Sequence, residues 1–224
     1  MIAGLRVKWR DFPSPDADAA PAFGIWVVND PDGLLDGMTQ EEFERSDERM
    51  PYFGMIWAAG EALVDRLLKG PALDGMRLLD LGCGLGVCGL AAAARGAHVT
   101  FFDWEPRALE IVTASAQRQG ELAARCAYVV GDWRTPPALG RFDRILAADV
   151  LYERRNGAAV VQLLVEHLAP RGEVWLTDPS RPQARDFPAL AAAAGLELLG
   201  REVLVAPPPE PAITFLRLRR PAAN

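Results

Sequence analysis

The residues with the most chemistry in them are Leu79-Asp80-Leu81-Gly82-Cys83-Gly84-Leu85-Gly86, where an apolar run meets glycines at alternate positions. Glycines at such a place let the backbone turn sharply and let a ligand come against it with no Cβ in the way. The stretch also contains Gly84-x-Gly86-x-x-Gly89 with Asp103 further on, the fingerprint of a dinucleotide site. Asp80 weighs on the choice of ligand. A pyrophosphate at this turn would meet a carboxylate in a low-dielectric crevice, at a cost on the order of several kcal/mol. A ligand carrying a sulfonium and an ammonium would be stabilised by the same charge. The dinucleotide reading stays open as the rival.

Three further positions suit a nucleoside. Asp103 ends the second apolar run, where a carboxylate can take both ribose hydroxyls. Asp132-Trp133 follows the third run, where an acceptor and an aromatic face suit an adenine amino group and ring, and Trp104 is close. Each has a plainer reading, since a carboxylate at a strand end can cap the next helix and tryptophan is often core. Their coincidence at the ends of successive runs is what points to a site.

The elements that must position these residues follow from periodicity. From Trp57 onward, strand-length apolar runs (77–81, 98–102, 127–130, 141–148, 173–177) alternate with helix-like segments (58–68, 86–95, 106–119, 157–168). This alternation predicts an α/β fold, a doubly wound, Rossmann-like, mostly parallel sheet with helices on both faces. The rhythm breaks near the end, where a helix near 187–194 is followed by runs over 196–205 and 212–219 joined by Pro207-Pro208-Pro209. That pair predicts an antiparallel hairpin at the sheet edge. Residues 1–55 read as an N-terminal extension of short strands (5–9, 23–28) and a short helix opened by Thr39-Gln40-Glu41-Glu42. Residues 56–224 read as the main domain.

Composition narrows the function. Lys and Arg number 24 against 30 Asp and Glu, a net charge of −6, whereas nucleic-acid and membrane-surface binders need a basic face. No stretch approaches the ~18 uninterrupted apolar residues of a membrane span, and the N-terminus has no long apolar run. Cys83, Cys88 and Cys126 form no Cys-x-x-Cys pair and leave an odd count; they read as reduced and mostly buried, which predicts a cytoplasmic protein. With only His98 and His167 besides, no metal site is expected.

Taken together, Tyr52-Phe53-Gly54-Met55-Ile56-Trp57-Ala58-Ala59, Asp80–Gly86, Gly96-Ala97, Asp132-Trp133 and Ala148-Asp149-Val150-Leu151-Tyr152 resemble the seven-β-strand protein lysine methyltransferases. That family includes the methyltransferase-like 21 proteins and the electron transfer flavoprotein β-subunit lysine methyltransferase with its bacterial relatives. Asp178-Pro179-Ser180-Arg181 looks like the Asp-Pro-x-Arg of the latter branch. The resemblance covers roughly residues 50–182. It implies the class I methyltransferase fold, S-adenosylmethionine as cofactor, and cofactor contacts at Trp57, Gly82, Cys83, Gly84, Asp103, Trp133 and Ala148, to which the residues themselves add Asp80, Gly86, Trp104 and Asp132. Ala58 stands where the family often has proline, and Trp104-Glu105 replaces the acid that the flavoprotein branch places before Pro106.

Methyl transfer asks the protein to position and desolvate a nucleophile. Asp149 and Tyr152 are the expected catalytic residues, Asp149 accepting a hydrogen bond from an amine and Tyr152 supplying a wall or a polar tip. A carboxylate beside an amine favours the charged form, so Asp149 accounts for capture and orientation rather than deprotonation. The expected partner is a protein presenting a lysine, or else a small amine or heterocycle. Nucleic acid is not expected, because amino-methylating nucleic-acid enzymes usually carry two prolines between the acid and the aromatic residue.

Overall fold

A computed structural model of the chain describes residues 1–16, 22–45, 50–204 and 212–221. A hairpin of β1 (Val7–Phe12) and β2 (Phe23–Val28) comes first, followed by the short helices α1 (Pro31–Asp36) and α2 (Gln40–Arg45). After α3 (Ala58–Lys69) the βα alternation begins: β3 (Arg77–Leu81), α4 (Val87–Ala94), β4 (His98–Asp103), α5 (Pro106–Arg118), β5 (Cys126–Val130). It continues with β6 (Phe142–Ala148), α6 (Asn156–His167), β7 (Leu168–Asp178) and α7 (Phe187–Ala193), and ends with β8 (Glu197–Leu204) and β9 (Ile213–Arg219).

The main sheet has seven strands in the order β5-β4-β3-β6-β7-β9-β8. The first five are parallel, and β9 runs antiparallel between β7 and β8. The expected edge hairpin is therefore present, with its second strand on the inside. The Pro207-Pro208-Pro209 link lies outside the described residues. Strand β7 is longer than the apolar run 173–177 suggests. Arg171 takes a left-handed φ of 65° and the β6–β7 register shifts between Phe142 and Arg144, so an irregularity carries the strand back through Pro170.

Because the sheet is covered on both faces, its strands are apolar on both. Leu78, Val99, Phe101, Leu146 and Trp175 point into one core with α3, α4 and α5, while Leu79, Leu81, Phe102, Ile145, Ala147 and Leu176 point into the other with α6 and α7. Helix α4 is built of small residues, and Ala91 and Ala92 are fully buried. Helix α5 starts at Pro106, and the Glu105 side chain accepts from the Arg107 N–H at 3.2 Å.

The N-terminal hairpin belongs to the first core. Phe12, Phe23, Ile25, Val27 and Val28 are buried in it, Trp26 N–H donates to Ser115 Oγ at 2.9 Å, and Gln119 exchanges two hydrogen bonds of 2.8 Å with the Gly24 backbone. Among the described residues no helix is long and apolar enough to cross a membrane.

Candidate active site

A cavity of about 630 Å³ opens at the carboxyl ends of β3, β4 and β6, the place where parallel α/β sheets bind ligands. Its floor is the turn after β3. Gly82, Gly84 and Gly86 all take left-handed φ values (62°, 51° and 73°), and Gly82 and Cys83 donate their N–H groups to Phe102 O at 2.8 and 3.2 Å. A Cβ on Gly82 would stand 2.9 Å from Trp133 Cζ3, so a side chain there would fill the cradle.

The structure brings Trp57, Asp80, Gly82, Cys83, Gly84, Asp103, Trp104, Asp132, Trp133, Ala148, Asp149 and Tyr152 onto this one cavity. Gly86 is the exception and does not line the cavity. It caps α4 and faces the core, where a Cβ would meet Val112 Cγ2 at 2.7 Å and Phe101 Cε1 at 3.1 Å. Its lack of a side chain serves packing.

Two acids lie beneath the turn. Asp80, 2 % exposed, accepts from Gly89 N–H at 2.8 Å, at the first turn of α4. Asp103, 6 % exposed, accepts from Gly84 N–H at 2.8 Å and Glu105 N–H at 3.0 Å. Burial pushes the Asp80 carboxyl up to about 7, helped by the nearby charge of Asp103. Burial likewise raises Asp103 to about 6, against the pull of backbone donors at Glu105, Gly84 and Trp104. A cation placed here would stabilise both as carboxylates.

The β6 side of the cavity is aromatic. Tyr52, on a single 3-10 turn (Tyr52–Gly54), meets Trp57 and Tyr152 edge-on at centroid distances of 5.8 and 5.6 Å, and Tyr152 lies 6.2 Å from Trp133. Burial drives the Tyr152 phenol well above its ordinary range, so it remains protonated. Asp149 does not arrive as a free acceptor. Arg181 Nε and Nη2 donate to its two oxygens at 2.7 and 2.9 Å. Asp132 is likewise engaged, bound by the Arg134 guanidinium at 2.6 to 3.1 Å.

Reading the sequence for site residues missed Tyr52 and the pairing role of Arg181. Tyr52 precedes the first core strand by 25 positions and no spacing rule links it to the glycine turn; only the packing of Phe53 against Gly84, with a Gly84 Cβ 3.4 Å from Phe53 O, brings it there. Arg181 had a signal in Asp178-Pro179-Ser180-Arg181 and Asp149 had one of its own, but nothing in the sequence paired the two across 32 positions.

Residues 78–198 match the family model described as a methyltransferase domain. The protein N-lysine methyltransferase METTL21A of Danio rerio is 35 % identical over 135 residues, covering 58 % of this chain and 61 % of the relative. The ubiquinone biosynthesis O-methyltransferase of Leptothrix cholodnii is 28 % identical over 109 residues, covering 49 % and 46 %. The chain thus spans about half the length of these curated relatives. Among solved structures, the N-methyltransferase NodS from Bradyrhizobium japonicum WM9 in complex with S-adenosyl-L-homocysteine superposes with a TM-score of 0.62 at 17 % identity, over 85 % of this chain and 96 % of that one. At that identity the likeness speaks for the fold.

Proposed function

The chain belongs to the methyltransferase domain family, and from that premise we propose that it is an S-adenosylmethionine-dependent N-methyltransferase whose acceptor is a lysine side chain of a protein. When bound, S-adenosylmethionine supplies a methyl group activated by a positive sulfur. The residues present fit that cofactor. The glycine turn leaves a cradle that a Cβ would fill, and Asp80 and Asp103 are acids whose pKa values are raised by burial, so that a positively charged ligand would favour their ionised forms. Asp103 would take the ribose hydroxyls, Trp104, Trp133 and Asp132 would hold the adenine, and Asp80, Trp57, Gly82, Cys83, Gly84 and Ala148 line the rest of the same cavity.

The observation that carries the acceptor class is the aromatic wall of Tyr52, Trp57, Tyr152 and Trp133 beside Asp149. A free lysine amine has a pKa of about 10.4, and an aromatic, poorly hydrated wall lowers it. Tyr152 and Asp149 orient the nitrogen. The N-terminal extension contributes to the acceptor side in this reading, because its Phe43, Met50, Tyr52 and Phe53 line the cavity. METTL21A, a protein N-lysine methyltransferase by name, supports the same acceptor.

A small-molecule acceptor is the second reading, favoured by the ubiquinone biosynthesis O-methyltransferases among the relatives. Radiolabelled S-adenosylmethionine, purified protein and a lysate of the source cell separate the two. Label in a discrete acid-precipitable protein band is the expected result and gives the substrate by mass. Label in the soluble fraction alone replaces the lysine reading with the second one.

A further inference from the structure

The cavity sorts its charges. In the loop after β6 each acid has a guanidinium, Asp149 that of Arg181 and Glu153 that of Arg155, and in the loop after β5 Asp132 has Arg134. On the glycine-turn side Asp80 and Asp103 accept backbone N–H groups, and among the described residues no lysine or arginine is paired with either.

The pair at Asp149 is the most constrained of these. Asp149 is 7 % exposed and holds a φ of 55°, a left-handed conformation that costs any residue with a Cβ about 1 kcal/mol or more. Its N–H donates to Thr177 O at 2.9 Å, Arg181 takes both its oxygens, and Gln183 Nε2 donates to Tyr152 O at 2.6 Å. The end of β7 and the loop after it therefore clamp the loop after β6 at three points, and one of the three is an ion pair facing the cavity.

An unscreened carboxylate a few ångströms from an amine holds it as ammonium, and an ammonium nitrogen has no lone pair to give. We infer that Arg181 cancels the charge of Asp149, so that the nucleophile sits on the β6 side of the cavity in its neutral form while Asp149 still accepts a hydrogen bond. Arg181 is thus a positioning residue that acts through Asp149. The inference deepens the proposed reading of the cavity and rests on it. Tyr152 faces the same place as a phenol, with Tyr52 packed edge-on against it. Asp178 stands behind the pair, its Oδ1 accepting from Arg181 N–H at 2.7 Å and its buried Oδ2 without a partner; it is common to every variant below.

The test needs no acceptor. Sinefungin is an S-adenosylmethionine analogue with an amine-bearing carbon in place of the methylated sulfur, so its ammonium reports the field where the methyl would be. Kd values for sinefungin and S-adenosylhomocysteine are measured by calorimetry on the full chain, and their ratio removes effects common to both ligands. Arg181→Gln leaves Asp149 uncancelled and raises the preference for sinefungin about tenfold, the scale of one charge at roughly 10 Å. Asp149→Asn, whose side chain tolerates the left-handed backbone, leaves Arg181 uncancelled and lowers it about tenfold. Arg181→Lys keeps the charge and stays within about threefold of the parent. A preference unmoved by both Arg181→Gln and Asp149→Asn, or moved the same way by both, overturns the inference. If one of those two does not fold, the sign of the other decides. If the unaltered protein binds neither ligand, the reading of the cavity falls and takes the inference with it; binding without the opposed shifts sinks the inference alone.

Discussion

Each oxygen of Asp103 accepts a backbone N–H, and a carboxylate with about four acceptor sites has capacity left for hydroxyls. Asp103→Ala is expected to weaken S-adenosylhomocysteine binding by ~1.5–3 kcal/mol, the worth of hydrogen bonds to a charged group; unchanged affinity by calorimetry would remove Asp103 from the site. Asp80 makes a pH prediction. Its carboxyl titrates near 7 in the folded chain against an ordinary value of 3.8, so between those values the folded protein binds a proton that the unfolded chain does not. Its contribution to ligand-free stability is complete below about pH 4 and is lost as pH rises through about 7. A cationic ligand prefers the ionised form, so S-adenosylmethionine affinity should rise from about pH 6 to pH 8 with release of a proton. Asp80→Asn should flatten that rise; a flat profile in the unaltered protein would mean that Asp80 is not what the ligand's charge meets.

Between β3 and α4 the glycines divide their work. Gly82 and Gly84 keep the ligand side of the turn open, whereas Gly86 and Gly89 keep the helix close to the sheet. A Cβ on Gly89 would stand 2.3 Å from Phe101 Cε1 and 2.8 Å from Asp80 Oδ2. Gly86→Ala combines a left-handed φ with overpacking against Val112 and Phe101 and should destabilise the fold by about 2–4 kcal/mol, read from the urea midpoint. If the midpoint stays put, the core at the start of α4 has slack that the packing does not show. Helices and strands of this unit were legible in the sequence because their periods differ, 3.6 against 2. The length of β7 was not, since Pro170-Arg171-Gly172 looks like a turn and only pairing with Phe142 makes it strand.

Across the whole molecule, the N-terminal hairpin is core rather than appendage. Five of its side chains are buried among α4, α5 and their neighbours, and losing them uncovers that face of the domain. Deletion of residues 1–28 should therefore lower the melting temperature markedly or abolish cooperative unfolding, as followed by circular dichroism. A truncated chain that melts like the parent would show the hairpin to be dispensable. The sequence had marked this region as an extension because its runs are short and set apart from the βα alternation, and burial against a distant helix leaves no local pattern.

What the sequence by itself determined was the α/β architecture, the glycine turn and the acids at the strand ends, because those depend on neighbours within a few positions of each other. Asp80, Asp103 and Trp133 stand where strands end, and strand ends are local facts. The tertiary structure alone decided that Gly86 faces the core, that Tyr52 joins Tyr152, and that Asp149 is bound to Arg181. Each of those is a contact between segments brought together by strand order and loop packing. Hydrophobic periodicity carries no information about which charge, across 32 residues, will cancel which.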